Sequence, residues 1–529
     1  MSHSKRELRV TEKQSRSGVS RRTYLAGLAT GLTTGVAGCG DSSDEPPSSS
    51  NESTDESASN SGIPYAGRYQ NVVDVAASGA DTSGSEAIND LLDSLVGDDT
   101  LLYFPEGEYR IDATWAAQGY RNVGVVGDGA VFHPPDGHGG SWLAFDGVDG
   151  LLFEGVTIDL RGKETGPQVQ VLCEGGGTNV VRDIVLKGVH THSQKTQAFV
   201  YRVAGAETDL LVENVDMSDG SSVTEAVFVF PTSDPGSITF KDCRIIGWEE
   251  QGLYGSAHGG PMKVLGGEYA NNGLSQVRVG GGNADTAALV KGATIRIDKP
   301  RPDMKNMRGI WLKEGDDTII EDCEIEITSL EGTLSSGGIV VDKEHGKTTI
   351  KNTDILVNAP TYGIKARYPK RGNFYAPSLR SRPERWDVNL EGVRIHGNGT
   401  GWSAVQIEGR DDSALDRVDI KQSGTDRDGV DIIDSPGTEL KDLSVVVGRY
   451  PLLVDIGQGD DDCGVLIGEG SRLESRNHQT SDDADRYLVN ETLPFCIDRQ
   501  FFGEGTNNGR FAITGVNNSG VVGTLVDLS

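Results

Sequence analysis

The chain has 529 residues, a formal net charge of −30 at pH 7, 71 glycines and only 6% aromatic residues. That balance excludes a compact helical bundle, a protein of several membrane spans and a general nucleic-acid binder, whose phosphates such a surface would repel. Exposed acidic charge on this scale suits a protein that stays soluble in high salt, so a halophilic source is expected.

In chain order, the first element is an address label. Ser20-Arg21-Arg22-Thr23-Tyr24-Leu25 precedes a weakly apolar run over 26–38. A basic segment followed by a short apolar one reads as an export signal, and the paired Arg21 and Arg22 point to the twin-arginine route. The apolar run is too short for a membrane span. Val36-Ala37-Gly38-Cys39 has the form of a lipobox. Residues 1–38 are therefore expected to be removed, leaving Cys39 lipidated and the protein anchored to the outer face of the cell membrane. The stretch 39–62 is acidic and Ser-rich with almost no apolar residue, and is expected to be a solvated tether. Five cysteines follow Cys39, at 173, 243, 323, 463 and 496. The number is odd and no C-x-x-C occurs, so neither a disulfide framework nor a zinc site is expected.

Next comes an apolar helical stripe of Ile88, Leu91, Leu92, Leu95 and Val96. Ser83 with Glu86 offers a capping box for it, and Gly97 a stop. From about residue 120 one phrase recurs, as FEGVTI, VRDIVL, VENVDM, FKDCRI, LGGEYA, VKGATI, IEDCEI, IKNTDI, LEGVRI, LDRVDI and LKDLSV. Its turn residues are Gly155, Asp183, Asn214, Asp242, Gly266, Gly292, Asp322, Asn352, Gly392, Arg417 and Asp442. Copies this far apart, built on period-two strands, predict a β-solenoid over 63–470. Gly, Asn and Asp at one place in each coil fit a turn that needs a left-handed backbone. The residues just after it should line the interior.

A second strand aligns from coil to coil: GIWLK (309–313), GIVVD (338–342), GIKAR (363–367), AVQIE (404–408) and GVDII (429–433). Its outward residues should stack as Trp311 and Lys313, Val340 and Asp342, Lys365 and Arg367, Gln406 and Glu408, then Asp431. From about 471 the repeat fades, and 471–529 is expected to cap the solenoid or to form a small appended β-structure.

Asn71-Val72-Val73-Asp74-Val75, Gly79-Ala80, Ala87-Ile88-Asn89, Leu102-Tyr103-Phe104-Pro105-Glu106-Gly107-Glu108-Tyr109 and Val125-Val126-Gly127-Asp128-Gly129-Ala130 resemble the N-terminal block of the pectin-lyase-like superfamily. The resemblance spans about residues 68–470. It implies an all-β fold: a right-handed parallel β-helix, a single-stranded solenoid of about 11–13 coils, with a short N-terminal capping helix. That fold serves lyases, hydrolases, epimerases and binding proteins alike.

Residues 365–385 break the chain's acidic character with Lys365, Arg367, Lys370, Arg371, Arg380, Arg382 and Arg385 against Glu384, a net +6 (seven minus one). Aromatic residues are interleaved, and arginine forks bind carboxylates while aromatic faces stack on sugar rings. An anionic polysaccharide is the expected partner, with Trp311, Tyr368, Arg371, Arg380 and Glu408 as candidate binding residues. Arg367-Tyr368-Pro369-Lys370-Arg371-Gly372 is similar to the R-x-P-x-x-R-x-G stretch of pectate lyases, with one residue fewer before the second arginine and no following His or Asn-Asn. The resemblance implies a lyase in which Arg367 is the base and Arg371 clamps the substrate. Lys365 and Lys313 are catalytic candidates beside it. Such a lyase needs a positive charge to acidify the C5 proton, and Glu314, Asp316 and Asp342 are the candidate Ca2+ ligands. Two alternatives stay open. Asp426-Arg427-Asp428-Gly429-Val430-Asp431 and Gly459-Asp460-Asp461-Asp462 resemble polygalacturonase motifs, so a glycoside hydrolase with paired Asp is possible on sequence grounds. A non-catalytic surface adhesin is the other. His258 and His345 are read as turn residues, and the protein as monomeric.

Overall fold

The computed structural model describes residues 62–282, 286–299, 301, 304, 306–371, 383–455, 464–476, 486–489, 494–497, 510–517 and 520–526. Arg21, Arg22, Cys39, Arg380 and 460–462 lie outside the described residues.

The chain is a right-handed parallel β-helix of about 14 turns, slightly more than the coil count expected from the repeat. Three strand columns run along it. The first begins at Asn71–Asp74, passes through Thr100–Phe104 and Asp209–Glu213, and reaches Val465–Ile467. The second begins at Ser83–Ala87 and runs through Arg244–Ile246 to Arg472–Ser475. The third begins at Trp115–Gln118 and runs through Ser275–Gly281 to Leu452–Asp455. Each strand pairs in parallel with its equivalent one coil later. Side chains alternate in and out, so one face of every strand feeds a continuous interior.

The corner between the first two columns is set by backbone sterics. All eleven turn residues from Gly155 to Asp442 have φ between 45° and 74°, the left-handed region. Asn and Asp tolerate it because their short side chains bond locally, and they also bond up the stack. Asn214 Nδ2 donates to Asp183 Oδ1 at 2.6 Å, and Asn352 Nδ2 to Asp322 Oδ1 at 3.4 Å. Gly155 has a second constraint, since a Cβ there would sit 2.3 Å from the Gly127 carbonyl oxygen. The next residues, Val156, Ile184, Val215, Cys243 and Cys323, are at most 1% exposed and form the interior ladder. Cys173, Cys243 and Cys323 are free, buried thiols.

Two expectations need correction. The N-terminal helix is Asn89–Leu95, and it does press Ile88 and Leu92 into the core with Leu91, Leu95 and Val96 alongside. But Ser83 and Glu86 do not cap it. They lie in the strand Ser83–Ala87, whose pairing with Glu108–Arg110 competes successfully for that backbone. Asp81 instead accepts the amides of Ser83, Ser85 and Glu86, and these bonds pull its carboxyl down to about 2. The helix does stop where expected, at Leu95 with an extended Val96 directly before Gly97. Finally, Cys496 is disulfide-bonded. The odd count after Cys39 concealed a bonded cysteine among three that the solenoid buries as free thiols.

At the C-terminal end the pairing changes sense. Arg510–Asn517 runs antiparallel to both Leu452–Asp455 and Arg472–Ser475, and Phe495–Ile497 antiparallel to Val465–Ile467.

Candidate functional site

The third column carries the candidate site because its outward residues change type at every coil. One register line reads Gln170, Val200, Phe228, Tyr254, Arg278, Trp311, Val340, Lys365, Gln406 and Asp431. The last five stack in the order expected from the aligned repeats.

Around Trp311 this line becomes a stack of cations and rings. The Arg278 guanidinium lies 3.8 Å from the Tyr254 ring centroid and 4.6 Å from that of Trp311, and Arg308 lies 4.0 Å from Trp311. Planar guanidinium on an indole face is a favourable stack. Burial, reinforced by Arg367, pulls Arg308 down to about 10. Beside them Asp342, 2% exposed, collects donors. Lys313 Nζ reaches it at 2.9 Å, Trp311 Nε1 at 3.2 Å and an Arg367 Nη at 3.4 Å. Lys313 also donates to Glu344 at 2.8 Å. Burial opposes both charges, yet the pairing prevails: Asp342 is held below and Lys313 above its ordinary range.

Lys365 behaves differently. Its nearest carboxylate, Glu408, is 3.9 Å away, and its ammonium sits 4.4 Å from the Tyr362 ring centroid and 3.3 Å from the Tyr362 hydroxyl. Burial, with Arg367 adding to it, lowers its pKa below that of an ordinary lysine despite Glu408. Trp402 lies tilted by 43° to Tyr362 with ring centroids 5.2 Å apart and is half exposed.

The structure thus brings Lys313, Arg367, Asp342 and Trp311 together, with Lys365 and Glu408 on the following coils. It places Arg371 and Tyr368 elsewhere. Arg371 spans to Asp411 at 2.9 Å and the Gly409 carbonyl at 2.8 Å, while the Tyr368 hydroxyl donates to Asp434 at 2.9 Å. Both reach over later coils, away from Asp342.

The three carboxylates proposed for calcium do not converge. Asp342 is taken up by Lys313, Trp311 and Arg367, and Glu314 faces Arg278 at 3.6 Å. Asp316 is raised by burial and by the neighbouring Asp317 and Glu384. Among the described residues no group of three or more His, Cys, Asp or Glu is placed to hold a metal ion. This donor set does not fit a cation that takes six to eight oxygens.

In the hydrolase constellation, Arg427 and Asp428 are held by contacts within the chain. Asp428 accepts a bidentate fork from Arg449 and the Tyr450 amide, and Arg427 is buried against the Thr361 and Gly401 carbonyls. Only Asp431 joins the outward line, accepting from Gln406 at 2.9 Å. His258 closes a turn, its amide donating to the Gly255 carbonyl at 3.0 Å, whereas His345 lies in the strand Ser335–Lys351 rather than in a turn; both side chains are enclosed and pulled down by burial to about 4 and about 3.

Two features escape sequence reasoning. Extending the strand alignment one coil earlier, to QVRVG (276–280), would have found Arg278. Arg410 has no such signal. It is fully buried, and its guanidinium donates to the carbonyls of Asp342 and His345 at 2.8 Å, Arg367 at 3.0 Å, Trp386 at 3.2 Å and Gly346 at 3.3 Å. It ties together the backbones that carry Asp342 and Arg367.

No family model and no curated protein sequence matches the chain. Solved structures with a similar course do exist. The A-module of the mannuronan C-5 epimerase AlgE4 of Azotobacter vinelandii is 15% identical, with 69% of this chain and 98% of that chain covered and a TM-score of 0.48. PfbA, a surface adhesin of Streptococcus pneumoniae, is 12% identical over 86% of this chain and 99% of that one, with a TM-score of 0.43. The Agl-KA catalytic domain is 14% identical over 71% and 69%, also with a TM-score of 0.43. At identities this low, no chemistry carries across to this chain.

Proposed function

We propose that the outward face of the third strand column binds a uronate-containing polysaccharide and cleaves it by β-elimination at Lys365. The observation that carries this reading is the contrast between two neighbouring cations. Arg367 lies 3.4 Å from Asp342, whereas Lys365 has a lowered pKa, lies over the Tyr362 ring and comes only as near as 3.9 Å to Glu408. A lysine whose pKa is lowered gives up its proton more readily than an ordinary one and is the better base, so Lys365 takes the role that sequence resemblance implied for Arg367.

In this scheme Arg367 pairs with the uronate carboxylate and favours loss of the C5 proton. Lys365 Nζ, in its unprotonated form, takes that proton. The C5–H electron pair becomes the C4=C5 double bond while the C4–O glycosidic bond breaks. The departing oxygen takes the Tyr362 hydroxyl proton, and the Lys365 ammonium, 3.3 Å away, returns one to the Tyr362 oxygen. Every atom and electron pair is then accounted for without a metal ion, in keeping with the poor fit for calcium.

A screen on uronate polymers, following absorbance of the unsaturated product with and without chelator, tests this. We expect turnover that survives chelation. Lys365→Ala should abolish turnover with binding retained, and Arg367→Ala should weaken both. Binding without turnover by the wild type would instead support the adhesin reading. We further propose export by Arg21 and Arg22 and anchoring at Cys39, so that Cys39→Ser releases the protein into the medium. A variant that stays in the membrane fraction would refute the anchor.

A further inference from the structure

Toward the N-terminus the same face changes character. Gln170 Nε2 donates to Gln168 Oε1 at 2.7 Å, Gln168 Nε2 to Gln197 Oε1 at 3.2 Å, and Gln197 Nε2 to Glu225 Oε1 at 2.8 Å. This is a head-to-tail chain of amides crossing three coils. An amide has two N–H donors and an acceptor with two lone pairs, so each link keeps capacity for a further partner. Phe228, Phe230 and Tyr254 stand beside it, with ring centroids 4.7 and 4.8 Å apart, and Phe230 is 44% exposed. Glu225 is nearly buried and shares a hydrogen bond with Glu250, and burial first, then that bond, raises it to about 7. Below about pH 7 Glu225 is therefore mostly in its neutral, proton-donating form. Arg278 and Tyr254 face Glu225 electrostatically, and Lys195 lies 3.9 Å from Glu250.

We propose that this amide and aromatic platform is a second subsite, binding uncharged sugar units of the same polysaccharide whose uronate occupies the Lys365 region. The proposal rests on the polysaccharide reading above and narrows it to a chain carrying both neutral and acidic sugars. Three observations argue for that occupant. The platform lies on the register line that leads to Lys365, five coil steps from Phe228, or about 24 Å at the usual strand spacing. Its amides and the Glu225 carboxyl match hydroxyls that donate and accept at once, while the neighbouring cations Arg278 and Lys195 already face Glu314 at 3.6 Å and Glu250 at 3.9 Å. Its rings provide an apolar face of the kind that stacks on a pyranose.

The test is isothermal titration with neutral hexaoses of β-1,4-glucose, β-1,4-xylose, β-1,3-glucose and α-1,4-glucose, and separately with oligogalacturonate and oligomannuronate. At least one neutral hexaose should bind wild type in the millimolar range or tighter. Phe230→Ala should weaken it at least tenfold and Gln197→Ala several-fold, with circular dichroism unchanged, while Lys365→Ala leaves it intact. Silence from all four neutral hexaoses, or equal binding by Phe230→Ala, would overturn the subsite. If uronates bind while neutral sugars do not, the polysaccharide reading survives and this inference fails. If neutral sugars bind in the Phe230-dependent way while uronates do not, the subsite stands and the Lys365 chemistry falls.

Discussion

Two register lines of this solenoid are built by the same repeat and behave in opposite ways. The corner line, from Gly155 to Asp442, keeps to a narrow set of residues because every position must adopt a positive φ. The outward line, from Phe228 to Asp431, changes from ring to cation to amide to carboxylate within a few coils. A line whose residues repeat is answering to the backbone. A line whose residues differ while its geometry repeats is free to answer to something outside the chain.

The largest effect should come from breaking the interior ladder that the corner line supports. Val215→Asp places a charge where the side chain is fully enclosed, with no partner nearby. It should cost several kcal/mol and leave little folded protein, as read by circular dichroism and denaturant melts.

Next is acid. His190, His258 and His345 are buried and neutral, held down to about 4, 4 and 3. Their folded pKa lies below the unfolded value of 6.5, so the unfolded chain binds protons first. The stability they confer is intact above about 6.5 and is lost as pH falls toward 3. Glu225 works the other way, since its raised pKa makes stability fall as pH rises from about 4.5 to 7. Three histidines outweigh one acid, so the melting temperature should fall steeply below pH 6. His345→Gln should flatten that fall, and Glu225→Gln should flatten the smaller one on the neutral side.

Arg410→Leu should cost about 3 kcal/mol or more, because it strands several buried carbonyls at once. If the outward line is functional, Arg410→Lys should also lower kcat more than it raises KM, since it loosens the backbones of Asp342 and Arg367 together. An unchanged kcat in a folded Arg410→Lys variant would deny it a positioning role.

The smallest effect separates the two lines most cleanly. Arg417 occupies the corner at φ 53° without the local bonding that Asn or Asp would bring. Arg417→Gly should stabilise by up to about 1 kcal/mol, less whatever its contacts to Asp416 and Glu391 contribute. The same change at Lys365 should relieve nothing, since its strand Ile364–Ala366 is ordinary extended backbone.

Legibility in the sequence followed the same division. Asp183 or Asn352 announces a left-handed turn by residue type, and Trp311, Val340, Lys365, Gln406 and Asp431 align because strand period and coil period are both local. Arg410 was hidden because its partners are carbonyls, which every residue possesses, on coils 24 to 68 positions earlier. Asp81 displaced the capping box for a similar reason: the strand Ser83–Ala87 draws on pairing with the next coil, which no four-residue motif records. The Glu225–Glu250 pair and the amide chain also join residues that only the register makes neighbours.

A stack of parallel strands is in principle endless, because its last coil offers the same open hydrogen-bonding rim as its first. Here Arg510–Asn517 lies across that rim in reverse, meeting both Leu452–Asp455 and Arg472–Ser475. A second molecule docking there would find the strand direction wrong for continuing the stack. The fold thereby carries its own stop against growing end to end into a fibre, a hazard that an exposed parallel rim would otherwise present at any concentration.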